Sequence, residues 1–171
     1  AWLATDQLIR NFTVSVINVA DGQSPSRHLR ALRPSGRFAV AEEGGVPVID
    51  PASYHRYDDY ADAVGALDAE GVARTYVTLG PRVDEASSEL GHPGRFDPVL
   101  ERAILELLKT PVVEGPVHLT PKGVGYEYAD VRLQSLSGAQ RQLLRMGPRN
   151  MKIIQAKLRE IAPHLGIALA E

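Results

Sequence analysis

Proline and glycine cut this chain into helix-length pieces. Asp50-Pro51 and Asp97-Pro98 read as helix starts. Aspartate accepts the first free N–H groups of a helix, and proline at the first helical position has no N–H to leave unpaired. Asp21-Gly22, Gly91 with Pro93, Thr110-Pro111, Gly147-Pro148 and Pro163 with Gly166 read as stops. The apolar spacing between these marks predicts a helix over 3–19, with Leu8, Phe12, Val16 and Val19 on one face. A second runs from 51 to about 67, with Tyr54, Tyr57, Ala61 and Val64 inward. A third runs from 68 to 90 through Val72, Tyr76, Leu79, Val83, Ala86 and Leu90. Gly80-Pro81 should kink or divide it, because Pro81 lacks an N–H and crowds the carbonyl one turn back. Leu100, Ile104, Leu107 and Leu108 stripe a fourth. Ser137 and Gln140 have the capping-box spacing of a short fifth helix. A sixth, over 148–162, buries Ile154, Leu158 and Ile161.

Two regions read as extended. Segments 38–41 and 46–49 flank Glu43-Gly44-Gly45, a hairpin turn, and Pro47 makes the second arm an edge strand. Segments 117–119 and 126–133 flank Pro121-Lys122-Gly123 and form a second hairpin. The expected fold is a single α+β domain over 1–171, mostly helical, with about six helices and two small hairpins. The absence of cysteine excludes disulfides, thiolate metal sites and a cysteine nucleophile. No apolar run approaches the ~20 residues needed to span a membrane. The chain starts at Ala1, which suggests a trimmed or processed piece that a signal or anchor could precede.

Charge is distributed in blocks. Seven Lys or Arg and no Asp or Glu lie between Arg132 and Arg159, in a chain of formal charge -2. Arg141, Arg145, Arg149 and Lys152, around the Gly147-Pro148 break, are the candidate anion-binding residues. Guanidinium forks match phosphate and carboxylate oxygens. An internal counterpart also exists: eight acidic residues and one Arg lie between Glu42 and Glu70, so the blocks could instead pair inside the fold. Nucleic acid is not an expected partner, because the chain is acidic overall and the basic segment has no interleaved aromatics.

Tyr54, Tyr57 and Asp58 form a candidate groove for a sugar or peptide, against the alternative that both tyrosines pack in the core. His55 and Asp59, four apart, could ligate a metal or simply pair; two ligands make no site, and no other histidine has zinc spacing. No metal or cofactor is expected. Glu114, between a helix end and Pro116, is the carboxylate a hydrolase would draw on, but nothing pairs with it in sequence. Ser135 and Ser137 lack the glycines of a nucleophile elbow, and segment 122–125 has no following helix to make a phosphate cradle.

The string Leu143-Leu-Arg-Met-Gly-Pro-Arg-Asn150, ahead of an apolar helix, resembles domain-of-unknown-function family three thousand and fourteen, found mainly in proteobacteria. So does Asp50-Pro-Ala-Ser-Tyr-His-Arg-Tyr57, with Glu89-Leu-Gly-His-Pro93, Phe96, the run to Pro111 and segment 126–130 in order between them. The resemblance covers about Leu8 to Leu165. It implies a membrane helix and Pro-rich linker ahead of this domain, and a periplasmic face; a cytoplasmic location is the alternative. It implies no catalytic residues. Gly80-Pro81 departs from the family's less interrupted helix. The resulting expectation is a non-catalytic interaction module of the bacterial envelope. Its basic face would meet an anionic protein, a lipid head group or a cell-wall component. The alternatives are a hydrolase of an envelope polymer and a ligand-free scaffold or oligomerisation domain.

Overall fold

The computed structural model describes residues 2–29 and 34–169. The first helix, α1 (Trp2–Ala20), leads through a 3-10 turn at Pro25–Arg27 into hairpin β1 (Val40–Glu43) and β2 (Val46–Ile49). Helices α2 (Ala52–His55), α3 (Asp58–Gly65), α4 (Ala69–Glu89) and α5 (Asp97–Leu108) follow. The second hairpin is β3 (Leu119–Lys122) and β4 (Gly125–Tyr128), and the chain closes with α6 (Val131–Gln134), α7 (Gly138–Leu144) and α8 (Gly147–His164). The mostly helical α+β fold is as the sequence predicts. The described residues hold eight α-helices where six are expected, for two local reasons.

The first is the split of the 51–67 helix at Arg56-Tyr57. Asp50 does start it, its Oδ1 accepting the Ala52 N–H at 2.8 Å. After one turn the Tyr57 N–H goes back only three residues, to the Tyr54 carbonyl, and the Arg56 Nε–H goes to the Ser53 carbonyl. Asp58 and Asp59 then open α3, where acidic side chains favour a helix N-terminus. The second reason is α6. Strand β4 ends at Tyr128, and Asp130 accepts the Arg132 N–H at 2.8 Å, which caps a helical turn where 126–133 was expected to stay extended.

The third long helix is not divided: α4 runs from Ala69 to Glu89 through Pro81. The carbonyl that Pro81 deprives of its donor belongs to Val77, four residues back. Val77 and Pro81 are both exposed, so water can take that carbonyl. On α1 the inward face holds at Val16 and Val19 as expected but is rotated by one residue in the first half of the helix. Ile9, Thr13 and Ile17 are buried, whereas Leu8 is 68% and Phe12 41% exposed. Thr13 escapes an apolar count, yet its hydroxyl donates to the Ile9 carbonyl at 2.8 Å and so enters the core satisfied.

Both hairpins form, with corrections at each proline. Strand β1 starts at Val40, two residues after the expected start. Pro47 pairs with Glu42 in β1, but β2 is not a simple edge. Its far side meets the second hairpin through the Ile49 N–H to the Val117 carbonyl at 3.0 Å and a bridge between Val48 and His118. The nitrogen of Pro47 points to the same side as that of Ile49 and has no hydrogen, so the contact cannot lengthen into a ladder. Pro121 lies in β3 opposite Tyr126, and the turn sits after it, at Gly123-Val124.

Among the described residues two large apolar clusters and a small third one, at Val19, Ala103 and Ala139, fill the interior. Of the large two, one gathers α1, α4 and α5 around Ile17, Val83, Phe96, Leu100 and Ile104. The other lies beneath the hairpins, with Ile49, Leu119, Tyr128, Leu143 and Met151. Helix α8 belongs to both, placing Met151 in the second and Ala162 in the first. No helix among the described residues is long and apolar enough to cross a membrane.

Candidate functional site

Segments 50–57 and 143–150 lie against each other. Ser53 is 1% exposed, and its hydroxyl accepts the Ala39 N–H at 2.8 Å and donates to the Ala39 carbonyl at 3.0 Å, pinning the chain ahead of β1. The next residue, Tyr54, lays its ring on Gly147. A Cβ built there would stand 2.4 Å from Tyr54 Cγ, and Gly147 has φ of 80°, so this position needs glycine twice over. The turn at Gly147 starts α8 with Pro148 in its first turn, and Arg149 and Asn150 follow on the side facing α3.

Asn150 joins the two segments. It is 1% exposed, and its Nδ2 donates to the Tyr54 carbonyl at 3.0 Å, Asp58 Oδ1 at 2.9 Å and the Met146 carbonyl at 2.9 Å. Arg149 Nη1 donates to Asn150 Oδ1 at 3.0 Å. The α2–α3 break is therefore where a distant side chain takes over the Tyr54 carbonyl. Asp58 also accepts from His55 Nδ1 at 2.9 Å. The hydrogen bonds from His55 and Asn150, with the nearby Arg149 charge, hold its carboxyl below the usual range. His55 thus pairs with Asp58, and among the described residues no three His, Asp or Glu gather as a metal would need.

The four basic candidates fall into two pairs. Arg149 reaches Asp62 at 2.7 Å and Asp58 at 3.7 Å, both in the acidic 42–70 segment. Lys152 pairs with Glu114, the carboxylate that sequence left unpartnered. Arg141 and Arg145 differ. Among the described residues neither forms an ion pair; Arg141 Nη1 makes a long 3.3 Å bond to the Gln134 carbonyl, and Arg145 is exposed. The capping box expected at Ser137 and Gln140 is present and sets the register of α7, which carries Arg141.

These two arginines face tyrosines. The Tyr128 hydroxyl is buried with no hydrogen-bond partner in good geometry. Burial pushes its pKa up, while the Arg145 guanidinium, by its charge and a poorly aligned hydrogen bond, and then Arg141 pull it down; Tyr57 lies near enough to raise it. The Tyr54 hydroxyl, just behind, is pushed up to about 12 by burial and by Tyr128. Both hydroxyls therefore keep their protons at neutral pH and can donate. Tyr57, Tyr128, Gln134, Arg141 and Arg145 line a cavity, together with Arg56, which lies over the Tyr57 ring, and Glu127, which pairs with Lys122. The fold thus brings Arg141 and Arg145, from the basic block, to Tyr128, with Tyr57 of the tyrosine segment close by. It turns Arg149, Lys152 and Asp58 toward internal partners.

Sequence reasoning missed Tyr128 and Asn150. Tyr128 lies within a segment read only as a strand, and nothing in its neighbours marks a hydroxyl left unpaired. Asn150 carried a faint signal: an amide one turn into an apolar-faced helix needs partners if it is buried. A family model described as "Protein of unknown function (DUF3014)" matches residues 8–162. No curated protein and no solved structure matches the chain.

Proposed function

The chain belongs to the DUF3014 family, and from that premise we propose that it is a non-catalytic binding module whose anion site is formed by Arg141 and Arg145 with the Tyr57 and Tyr128 hydroxyls. One observation carries this reading: two guanidiniums that form no ion pair among the described residues stand beside a buried tyrosine hydroxyl with no partner in good geometry, in a molecule whose neighbouring cations, Arg149 and Lys152, are paired. An unpaired buried hydroxyl costs about 1–3 kcal/mol, a penalty that an anionic oxygen entering the site would remove. Arginine forks and tyrosine O–H groups are both donors, so the complementary group is an acceptor-only oxyanion, a carboxylate or phosphate. The periplasmic, membrane-anchored placement implied by the family resemblance belongs to the same proposal.

Calorimetric titration with acetate and with inorganic phosphate tests it. Binding should weaken as salt is raised, because Arg145 is exposed and its field is screened. The double variant Arg141→Ala/Arg145→Ala should lose at least about tenfold in affinity, the ~1.4 kcal/mol of a charged hydrogen bond, with its melting temperature nearly unchanged. Anion binding that survives this substitution, or ignores salt, refutes the assignment.

A further inference from the structure

The arginine–tyrosine end is not an isolated pocket. The cavity it closes has a volume of about 2160 Å³ and continues between α1, α4 and α8, where Phe12, Val72, Leu79 and Leu158 line it. Compact small-molecule sites occupy ~300–1,000 Å³, so this space is larger than a lone phosphate or carboxylate needs. Among the described residues its lining away from the arginines is mostly apolar, with Asp68, Thr75 and Tyr76 as polar points along α4, and Leu8 and Phe12 at its α1 side stay exposed although both are large hydrophobic residues. One continuous space is therefore cationic and rich in hydrogen-bond donors at one end and apolar along the rest.

We propose that the occupant is an amphiphile with an anionic head and an alkyl chain, its carboxylate or phosphate on Arg141 and Arg145 and its chain along Phe12, Val72, Leu79 and Leu158. The head half of this inference rests on the anion site argued above; the chain half rests on the apolar cavity alone. A peptide would leave its amide groups unpaired against such walls, whereas an alkyl chain has none to satisfy. Charge complementarity fixes the direction of insertion, head toward α7.

The test is a series of straight-chain carboxylates from four to sixteen carbons, each below its micelle concentration, against the matching alcohols and alkyl phosphates. Binding is read by calorimetry and by native mass spectrometry of delipidated protein. Each added methylene should tighten binding roughly two- to fourfold until the cavity is filled. The acids and phosphates should exceed the alcohols by at least about tenfold, and Arg141→Ala/Arg145→Ala should erase that difference while keeping the dependence on chain length. Val72→Trp should shorten the preferred chain, and the chain-length series on the unaltered protein reads the same property without any variant. A flat series, in which acetate binds as well as palmitate, overturns this inference and leaves the anion site standing. A steep series in which alcohols match the acids overturns both the anionic head and the site proposed for it. No binding by any member overturns the amphiphile outright.

Discussion

Asn150 has three acceptors for one amide nitrogen, and two of them are more than ninety residues away in the chain. The geometry suits an amide and not its closest relatives. Asn150→Ala removes the amide donor from the Tyr54 and Met146 carbonyls and from Asp58, and should cost about 1–3 kcal/mol in denaturant unfolding. Asn150→Asp keeps the shape but turns a donor into an acceptor facing two carbonyls and the Asp58 carboxylate. It should destabilise the protein more than the alanine does, and equal effects would mean that packing, not donation, is what Asn150 supplies. Asp58 makes a related prediction about pH. Its pKa is lowered in the folded state, so the folded protein binds fewer protons there than the unfolded chain. Its contribution is complete above the ordinary carboxylate range and is lost as pH falls through the lowered value. Asp58→Asn should therefore be less stable at neutral pH and should flatten the acid limb of the stability profile. A parallel acid limb in the variant would refute the linkage.

Elements were legible wherever the local chain decides them. Asp50 caps, the Ser137–Gln140 box forms, both hairpins turn at glycines, and α8 begins at Gly147. The errors arose where a partner distant in sequence decides. The α2–α3 break depends on Asn150, and the inward face of α1 depends on a threonine that satisfies itself. Pro81 is the instructive case for helices, since its breaking effect requires that the freed carbonyl have no alternative, and an exposed Val77 has water. Pro81→Ala should then add stability, about 1–3 kcal/mol, by restoring one helical bond and relieving the ring's crowding. A loss of stability in thermal and denaturant unfolding would show that the proline is instead needed where it stands. Half of the candidate site was legible in the same sense. Arg141, Arg145 and Tyr57 stand out by type and spacing, but only the fold shows that they gather around Tyr128, or that Arg149 and Lys152 are spoken for.

For the whole molecule, the charge blocks that looked like one surface resolve into two roles on either side of Gly147. Arg149, on α8, holds the acidic segment through Asp58 and Asp62, with α3 close enough that a Cβ on Gly65 would meet Ile153 at 2.8 Å. Arg141 and Arg145, on the other side, stay out of ion pairs among the described residues and face the cavity. Further along α8, Gln155 Nε2 donates to the carbonyls of Leu107 at 3.0 Å and Thr110 at 2.9 Å, where α5 ends. Lys157, 8% exposed, donates its Nζ to the Leu67 carbonyl at 2.9 Å, just past α3. Three polar side chains of one helix thus finish the ends of α2, α3 and α5. A ribosome makes those three helices first, and the side chains that complete the hydrogen bonding of their last carbonyls arrive only with α8. Their ends are therefore expected to be secured late, once α8 is in place, rather than helix by helix.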